Sequence, residues 1–438
     1  MRHEHRKIAN TLLDTWSDLS FAKRTTQFRK LPRAAQDDLF LRLSSRDQHT
    51  LLCALDTDER LSWLRILAPN EAASLVLEFL PAERPALLAL LDHDTRADVE
   101  ALLAYSEDEA GGIMNPRFVR LRPAITVDVA VRYLRAQAHK QPGTIHYAYV
   151  VSEEDKLVGA VSFRELLLAD PARLVSEVMS ANLITIPDEL DPEETSHRFA
   201  NSKLSALPVV DKEGHIKGIV TLNEMVSVVQ QAATEDMQKI GGVEVLDAPY
   251  LEISILAMVK KRAGWLVILF VGELFTATAM GYYEREIEKA VVLALFIPLI
   301  ISSGGNSGSQ ASTLIIRAMA LGEVRLKDWW RVFHREVLTG LALGSILGSI
   351  GLVRILLWPT RATLYGAHYG LIALTVSLSL IGIVLWGSLA GSMLPFVLRK
   401  LGFDPATASA PFVATLVDVT GLVIYFTVAS VILRGALL

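Results

Sequence analysis

One acid interrupts an apolar run near the end of the chain: Asp418, in PFVATLVDVTGLVIYF (411–426). At mid-membrane a carboxylate costs about 2.5–3.5 kcal/mol on insertion scales, so it must face other protein or water. It either hydrogen-bonds a neighbouring helix or serves an ion site or proton relay, and the second reading is preferred. A second polar group lies upstream, where Pro298 precedes SSGGNSGSQ, Ser302 to Gln310. Gly304, Gly305 and Gly308 weaken a helix and let backbones approach closely. Irregular backbone is expected there, lining a cavity or buried in protein. Asn306 and Gln310 add amide oxygens, and an all-oxygen donor set suits Mg2+ or Ca2+ rather than a soft metal. A small-residue packing seam is the competing reading of the Gly/Ser run. Glu273 is either a protonated packing residue or part of the same chemistry, and Glu336 reads as interfacial.

These residues need a membrane around them, and the charge distribution supplies one. Of 438 residues, 1–247 hold 28 Lys and Arg against 38 Asp and Glu, and 248–438 hold 15 against 10. An acidic, soluble-looking part therefore precedes an apolar part of sparse charge. That excludes a single soluble globule and argues against a nucleic-acid partner, because the exposed part would repel phosphate. Five apolar stretches follow Lys260-Lys261-Arg262, at about 263–282, 290–314, 337–358, 370–398 and 410–433. Each approaches or exceeds the roughly 20 residues that cross a bilayer core. Lys260–Arg262, then Arg317, Arg325, Lys327, Arg331 and Arg335, then Arg399 and Lys400 mark one side as the inside. The N-terminal part is then cytoplasmic and the C-terminus outside. Cys53 is the only cysteine, so no intrachain disulfide and no thiolate zinc cluster is expected. The first sixteen residues carry no apolar core, so no secretory signal is expected.

The acidic part divides again. Residues 1–110 show helical apolar spacing broken at Pro32, Pro69, Pro81 and Pro85, which reads as a small α-helical solenoid. Farther on, YVVSEEDKLVGAVSFREL (149–166) aligns with PVVDKEGHIKGIVTLNEM (208–225) at an offset of 59. Gly159 matches Gly218 and Glu165 matches Glu224. Each copy reads as helix, strand, turn, strand, helix, and the pattern resembles a cystathionine-β-synthase (CBS) domain, two of which form one regulatory module. That resemblance implies an adenine-nucleotide site, ATP or AMP, at Ser162 with Glu165 and Thr221 with Glu224. A linker bearing Glu235, Asp236, Glu244, Asp247 and Glu252 then enters the membrane. It is a gate or a solvated tether, and composition alone favours the tether.

Taken together, YSEDEAGGIMNPRFV (105–119), ATEDM (233–237), FIPLIISSGGNSGSQASTLIIRAMALGEV (296–324) and PFVATLVDVTGLVIYF resemble the MgtE magnesium channels and transporters over the whole length. The fold class implied is a multi-domain membrane protein. It has a helical superhelix at 1–110, CBS domains at 111–173 and 174–232, a connecting helix at 233–259 and a five-helix transmembrane pore domain at 260–438. The resemblance implies a homodimer in the cell inner membrane with a pore on the two-fold axis. It places Mg2+ at Asp418, with Asn306 in the same pore and Glu284 near the outer mouth. It also implies closure by cytosolic Mg2+ at sensor acids, for which Glu71, Glu193, Glu224, Glu235 and Asp236 are the candidates. Lys203, Ser227 and Ala232 stand where relatives carry acids, and Ala410 where they commonly carry Asn. Weaker or differently tuned Mg2+ gating is therefore expected. Two alternatives stand beside this reading: an intramembrane metalloprotease, which lacks its H-E-x-x-H motif here, and a CBS-regulated transporter of Co2+, Mn2+ or another solute. No enzymatic activity is expected.

Overall fold

The computed structural model describes residues 9–436 apart from 14, 17, 18, 20, 107, 139–146, 203 and 252. Lys203 and Glu252 thus lie outside the described residues. Residues 1–230 and 231–438 form two compact units.

In the first unit, after a helical segment at 9–13, seven short helices follow among the described residues: α1 Phe21–Lys30, α2 Arg33–Phe40, α3 Ser45–Cys53, α4 Thr57–Leu64, α5 Pro69–Leu77, α6 Arg84–Leu88 and α7 His93–Leu102. They follow a twelve-residue period that the hydrophobic pattern hides. Pro32, Ser44, Asp56, Ala68 and Asp92 are N-caps at multiples of that spacing. The Ser44, Asp56 and Asp92 side chains each accept the backbone N–H three residues on, at 2.9–3.2 Å. Four residues after the cap, a long polar side chain reaches back to a carbonyl of the preceding helix. Gln36 donates to Phe28 O, Gln48 to Phe40 O, Arg60 to Leu52 O and Arg96 to Leu88 O, at 2.7–2.9 Å. Arg24 does the same to Trp16 O, and Arg84 to Leu77 O, both at 2.9 Å. Carbonyls that a helix end leaves without partners are thereby satisfied by the next helix. In this series Ala72 has no such side chain, and it lies on α5. Phe28, Phe40 and Trp63 pack ring on ring beneath the tethers, with centroids 4.9–6.5 Å apart.

After α8 (Ala110–Ile113), two copies of one motif follow. The first holds β1 Val119–Leu121, α9 Val127–Ala138, β2 Tyr147–Val151, β3 Leu157–Ser162 and α10 Phe163–Leu168. The second, after α11 (Val175–Val178), holds β4 Ile186–Pro187, α12 Pro192–Ser202, β5 Ala206–Val210, β6 Ile216–Thr221 and α13 Leu222–Ile240. Each forms a three-stranded sheet, parallel then antiparallel. The 59-residue offset survives into the register: Val150 pairs Gly159, and Val209 pairs Gly218, with the register shift at the same place in both. The glycines make room for methionines. A Cβ on Gly218 would meet Met114 Cγ at 2.8 Å, and one on Gly159 would meet Met179 Cγ at 2.9 Å. Met114 precedes the first copy and packs on the second, whereas Met179 precedes the second and packs on the first.

In the second unit, five helices are long and apolar enough to cross a membrane: Ile255–Tyr282, Val291–Ala320, Leu326–Leu356, Tyr369–Lys400 and Ala410–Ile432. Two expectations change. The Gly-rich stretch is not irregular: Ile297–Ala320 is one continuous α-helix, with the 3-10 turn Val291–Phe296 ahead of it. Close packing against neighbouring helices outweighs the low helix propensity of glycine. No separate helix covers 233–259. The last helix of the second repeat runs on to Ile240, turns and bends follow among the described residues, and the first span starts at Ile255. It starts earlier than hydropathy suggests because Lys260–Arg262 interrupt the apolar run without interrupting the helix.

Candidate functional site

The second, fourth and fifth spans meet through small residues. Gly304 and Gly308 of the second span face Gly387 and Gly391 of the fourth so closely that a Cβ on Gly387 would collide with Gly304 O. One on Gly391 would collide with Gly308 O in the same way. Three seryl groups on the packed side of this helix spend their hydrogen bonds on neighbouring segments. Ser307 Oγ lies 2.8 Å from Ser388 Oγ, Ser312 donates to Ala408 O at 2.6 Å, and Ser309 donates to Ala410 O at 3.0 Å. The packing-seam reading is therefore right for the buried face of this helix. Ala410 keeps a polar contact through its own carbonyl.

The other face differs. Ser302, Asn306 and Gln310 recur every four residues and are all exposed. Asn306 Nδ2 donates to Ser302 Oγ at 3.4 Å. Between the two faces lies Gly305, where an added Cβ would stand 3.4 Å from Asp418 Oδ1 and 3.4 Å from Ala414 Cβ. Bare helix backbone thus abuts the mid-span carboxylate. Asp418 is half-buried and takes part in no hydrogen bond or ion pair among the described residues. An acid so placed has its burial cost left without a protein partner to offset it.

The first span packs on the fifth at Gly272, where a Cβ would meet Thr415 Cγ2 at 2.9 Å. The neighbouring Glu273 is exposed and within electrostatic reach of Asp418. Glu284 is exposed and opens the short helix Glu284–Lys289. Its neighbour Tyr283 stacks on Phe426 at 4.9 Å. Phe426 lies eight residues along the fifth span from Asp418, about 12 Å of helical rise. The fold therefore does not bring Glu284 to Asp418.

The expected cytosolic acids fall into separate places. Glu71 and Glu224 approach each other where α5 meets the start of α13. Asn70 Nδ2 donates to Glu224 Oε1 at 3.3 Å, and Asn70 Oδ1 is buried without a partner. Burial pushes the Glu71 carboxyl above the usual range despite a hydrogen bond from the Ala68 N–H, and the Glu224 charge adds to the rise. Glu193 stands in the first turn of α12, where Asp191 Oδ1 accepts its backbone N–H at 2.8 Å.

Glu235 and Asp236 lie in the second unit with a partner that sequence reasoning missed, Asp404, in the turn between the fourth and fifth spans. Lys239 Nζ bonds Asp404 Oδ2 at 2.7 Å and lies 3.9 Å from Glu235 Oε2. Burial first, then the Asp404 charge, raise the Asp236 carboxyl above its usual range, with Lys239 opposing. An Asp-Pro pair just after Arg399 and Lys400 was the available signal.

The residues expected to hold a ribose are caps. Ser162 Oγ accepts the Glu165 N–H at 3.2 Å and donates to Glu165 Oε2 at 2.8 Å, while Glu165 Oε2 accepts the Ser162 N–H at 2.7 Å. Thr221 and Glu224 repeat two of these three bonds, with Glu224 Oε2 accepting the Thr221 N–H at 3.0 Å and its hydroxyl. The S/T-x-x-E signature is thus also a capping box. Asp211, Glu213 and His215 cluster at the β5–β6 turn. Asp211 there already accepts from Lys217 and His215, both at 3.1 Å.

Comparison with known proteins follows the same divisions. Residues 297–428 match a family model described as a divalent cation transporter. Residues 9–108 match the MgtE intracellular N domain, and 110–171 and 175–231 match CBS domains. The magnesium transporter MgtE of Thermus thermophilus is 39% identical over 428 residues, 97% of this chain and 93% of that protein. The magnesium transporter MgtE of Enterococcus faecalis is 32% identical over 337 residues, 77% of this chain and 72% of that protein. Among solved structures, the cytosolic domain of the Mg2+ channel MgtE in complex with ATP is 35% identical. It covers 52% of this chain and 93% of that one, with a TM-score of 0.48.

Proposed function

The chain belongs to the MgtE family of divalent cation transporters, and from that premise we propose that it carries Mg2+ across the membrane along a path passing Asp418. The observation that carries this reading is the half-buried Asp418 carboxylate, resting on Gly305 with no hydrogen-bond or ion-pair partner among the described residues. Mg2+ takes six oxygens at about 2.0–2.1 Å and gives up water reluctantly. A carboxylate resting on bare helix backbone acts on the water shell of such an ion rather than replacing it.

The functional unit in this reading is a homodimer in the cell inner membrane, N-terminus cytoplasmic and C-terminus outside. Ser302, Asn306 and Gln310 form an exposed polar stripe on a membrane-spanning helix, and hydrocarbon is a poor neighbour for it. A second copy across a water-filled two-fold axis gives the stripe a polar surrounding. It also brings two Asp418 carboxylates to one ion, whose double charge offsets their repulsion. Glu284 then acts on the ion before the pore rather than beside Asp418.

Cytosolic Mg2+ closes the path in this reading. Glu71 with Glu224, Glu193, and Glu235 with Asp236 and Asp404 are the binding groups, and closure follows from tighter ion binding in the closed state. The raised Glu71 and Asp236 carboxyls support it, since a divalent ion relieves the burial and like-charge strain that raises them. ATP binding at Ser162 and Thr221 belongs to the same proposal. It requires Glu165 or Glu224 to trade a capping hydrogen bond for a ribose hydroxyl. Growth of a Mg2+-uptake-deficient bacterium tests the whole reading. Rescue by the wild-type chain and failure by Asp418→Ala at equal membrane abundance supports it. Equal rescue by both removes Asp418 from the path.

A further inference from the structure

The loop and helix start between the second and third spans carry a surface that Mg2+ transport leaves unexplained. The third span begins with the 3-10 turn Leu326–Asp328, and Asp328 Oδ2 accepts the Arg325 N–H at 3.1 Å. Trp329 and Trp330 follow, 49% and 52% exposed. Trp330 stacks on Phe333 at 5.3 Å with the rings 2° from parallel, and meets His334 edge-on at 4.3 Å. His334 Nδ1 lies 3.0 Å from Trp330 O. These large rings are thus fixed by one another while remaining uncovered.

Basic residues flank them in the sequence. Arg317, Arg325, Lys327, Arg331 and Arg335 are all exposed and none forms an ion pair among the described residues, although Arg335 lies within electrostatic reach of the half-buried Glu336. Arg331 and Arg335 stand four residues apart on one side of the helix Trp329–Leu356. The same side continues through Leu338, Ile346, Ile350 and Val353, all at least half exposed. An outward apolar stripe of that kind faces hydrocarbon in a chain that crosses the membrane. Followed back toward the start of the helix, it passes into two exposed guanidinium groups, Arg331 directly following Trp330 in the chain. That succession matches the profile of a lipid leaflet, acyl chains then phosphate, with Trp at the boundary.

We propose that Arg331 and Arg335, with Trp330 as the interfacial platform, form a binding site for the phosphate of anionic phospholipids. Charge complementarity selects anionic over zwitterionic lipid, because choline places a compensating cation beside the phosphate. The guanidinium fork suits the phosphate oxygens geometrically.

The test uses the full-length chain in nanodiscs of phosphatidylcholine with one quarter phosphatidylglycerol, with lipid retained after detergent extraction read by mass spectrometry. Wild type is expected to retain phosphatidylglycerol and phosphatidylcholine in a ratio about tenfold above their bulk ratio. Arg331→Gln with Arg335→Gln loses that enrichment, the Lys pair keeps most of it, and 0.5 M salt weakens it in all. Arg354→Gln, near the other end of the same helix with its guanidinium 3.4 Å from the Trp358 ring centroid, leaves it intact. Each Arg→Gln single variant shows an intermediate loss, which keeps the test informative should the double variant misfold. Equal enrichment in wild type and the Gln pair overturns the proposal. So does a Gln pair that keeps its phosphatidylglycerol but changes oligomeric state, since a second copy then covers this face.

Discussion

Asp418 Oδ1 lies 3.4 Å from the point where a side chain on Gly305 would begin. That distance is an ordinary van der Waals contact, whereas a few residues along the same helix the spans are in backbone contact. The two kinds of glycine therefore respond differently to an added methyl. Gly305→Ala is expected to fold and reach the membrane, with Mg2+ transport lowered severalfold because the methyl displaces water from the carboxylate. Gly391→Ala drives a Cβ into Gly308 O and is expected to fail in assembly, as overpacking of roughly 1–3 kcal/mol or more would dictate. Membrane abundance and uptake, measured together on both variants, separate the two effects.

Glu273 adds a second negative charge within reach of Asp418. Glu273→Gln removes it and keeps the shape. The half-saturating external Mg2+ concentration should rise about threefold to tenfold, with the maximal rate retained, as for the loss of one screened charge. An unchanged half-saturation would make Glu273 a packing residue.

Lys239 offers a tethered cation to Asp404 and Glu235, beside the half-buried Asp236. Replacing it with Met leaves three acids without compensation, so a divalent ion should bind them more tightly. Half-inhibition of transport should then shift to lower cytosolic Mg2+. The wild-type chain itself, with Ser227 and Ala232 in place of acids, should need more Mg2+ for closure than acid-complete relatives. Current against cytosolic Mg2+ measures both, and identical half-inhibition would contradict them.

The raised Glu71 carboxyl fixes a pH dependence for the metal-free protein. Between the usual glutamate value of 4.5 and its raised value, the folded state holds more protons than the unfolded one. Stability around α5 therefore falls as pH rises through that window. Mg2+ requires the deprotonated acid, so it restores stability above the window and loses to protons within it. Hydrogen exchange of the α5 amides in the full chain should show both trends, and Glu71→Gln should flatten them.

Much of this organisation was legible in the sequence, for identifiable reasons. Apolar runs of membrane length need no tertiary context to be seen. The 59-residue repeat showed in its paired glycines, and the strand register keeps it at Val150–Gly159 and Val209–Gly218. Asp418 stood out as a charge in a place where charge is costly. The twelve-residue period of the helical domain stayed hidden because either Arg or Gln serves at the tether position, in no regular order, and Ala72 breaks the series. Asp404 was missed because its partner Lys239 lies 165 residues away, so the local Asp-Pro pair did not say what it meets. The Gly/Ser run misled because glycine reads as a helix breaker, whereas here it is what allows three helices to touch.

The central claim is that Mg2+ passes by the Asp418 carboxylate. Mg2+ influx into liposomes of purified full-length protein, read with an internal Mg2+ indicator, tests it most directly. Asp418→Asn keeps the side-chain shape and removes only the charge. At equal reconstitution, influx should fall tenfold or more, corresponding to at least about 1.4 kcal/mol added to the barrier. Influx equal to wild type, with unchanged dependence on external Mg2+, would contradict it.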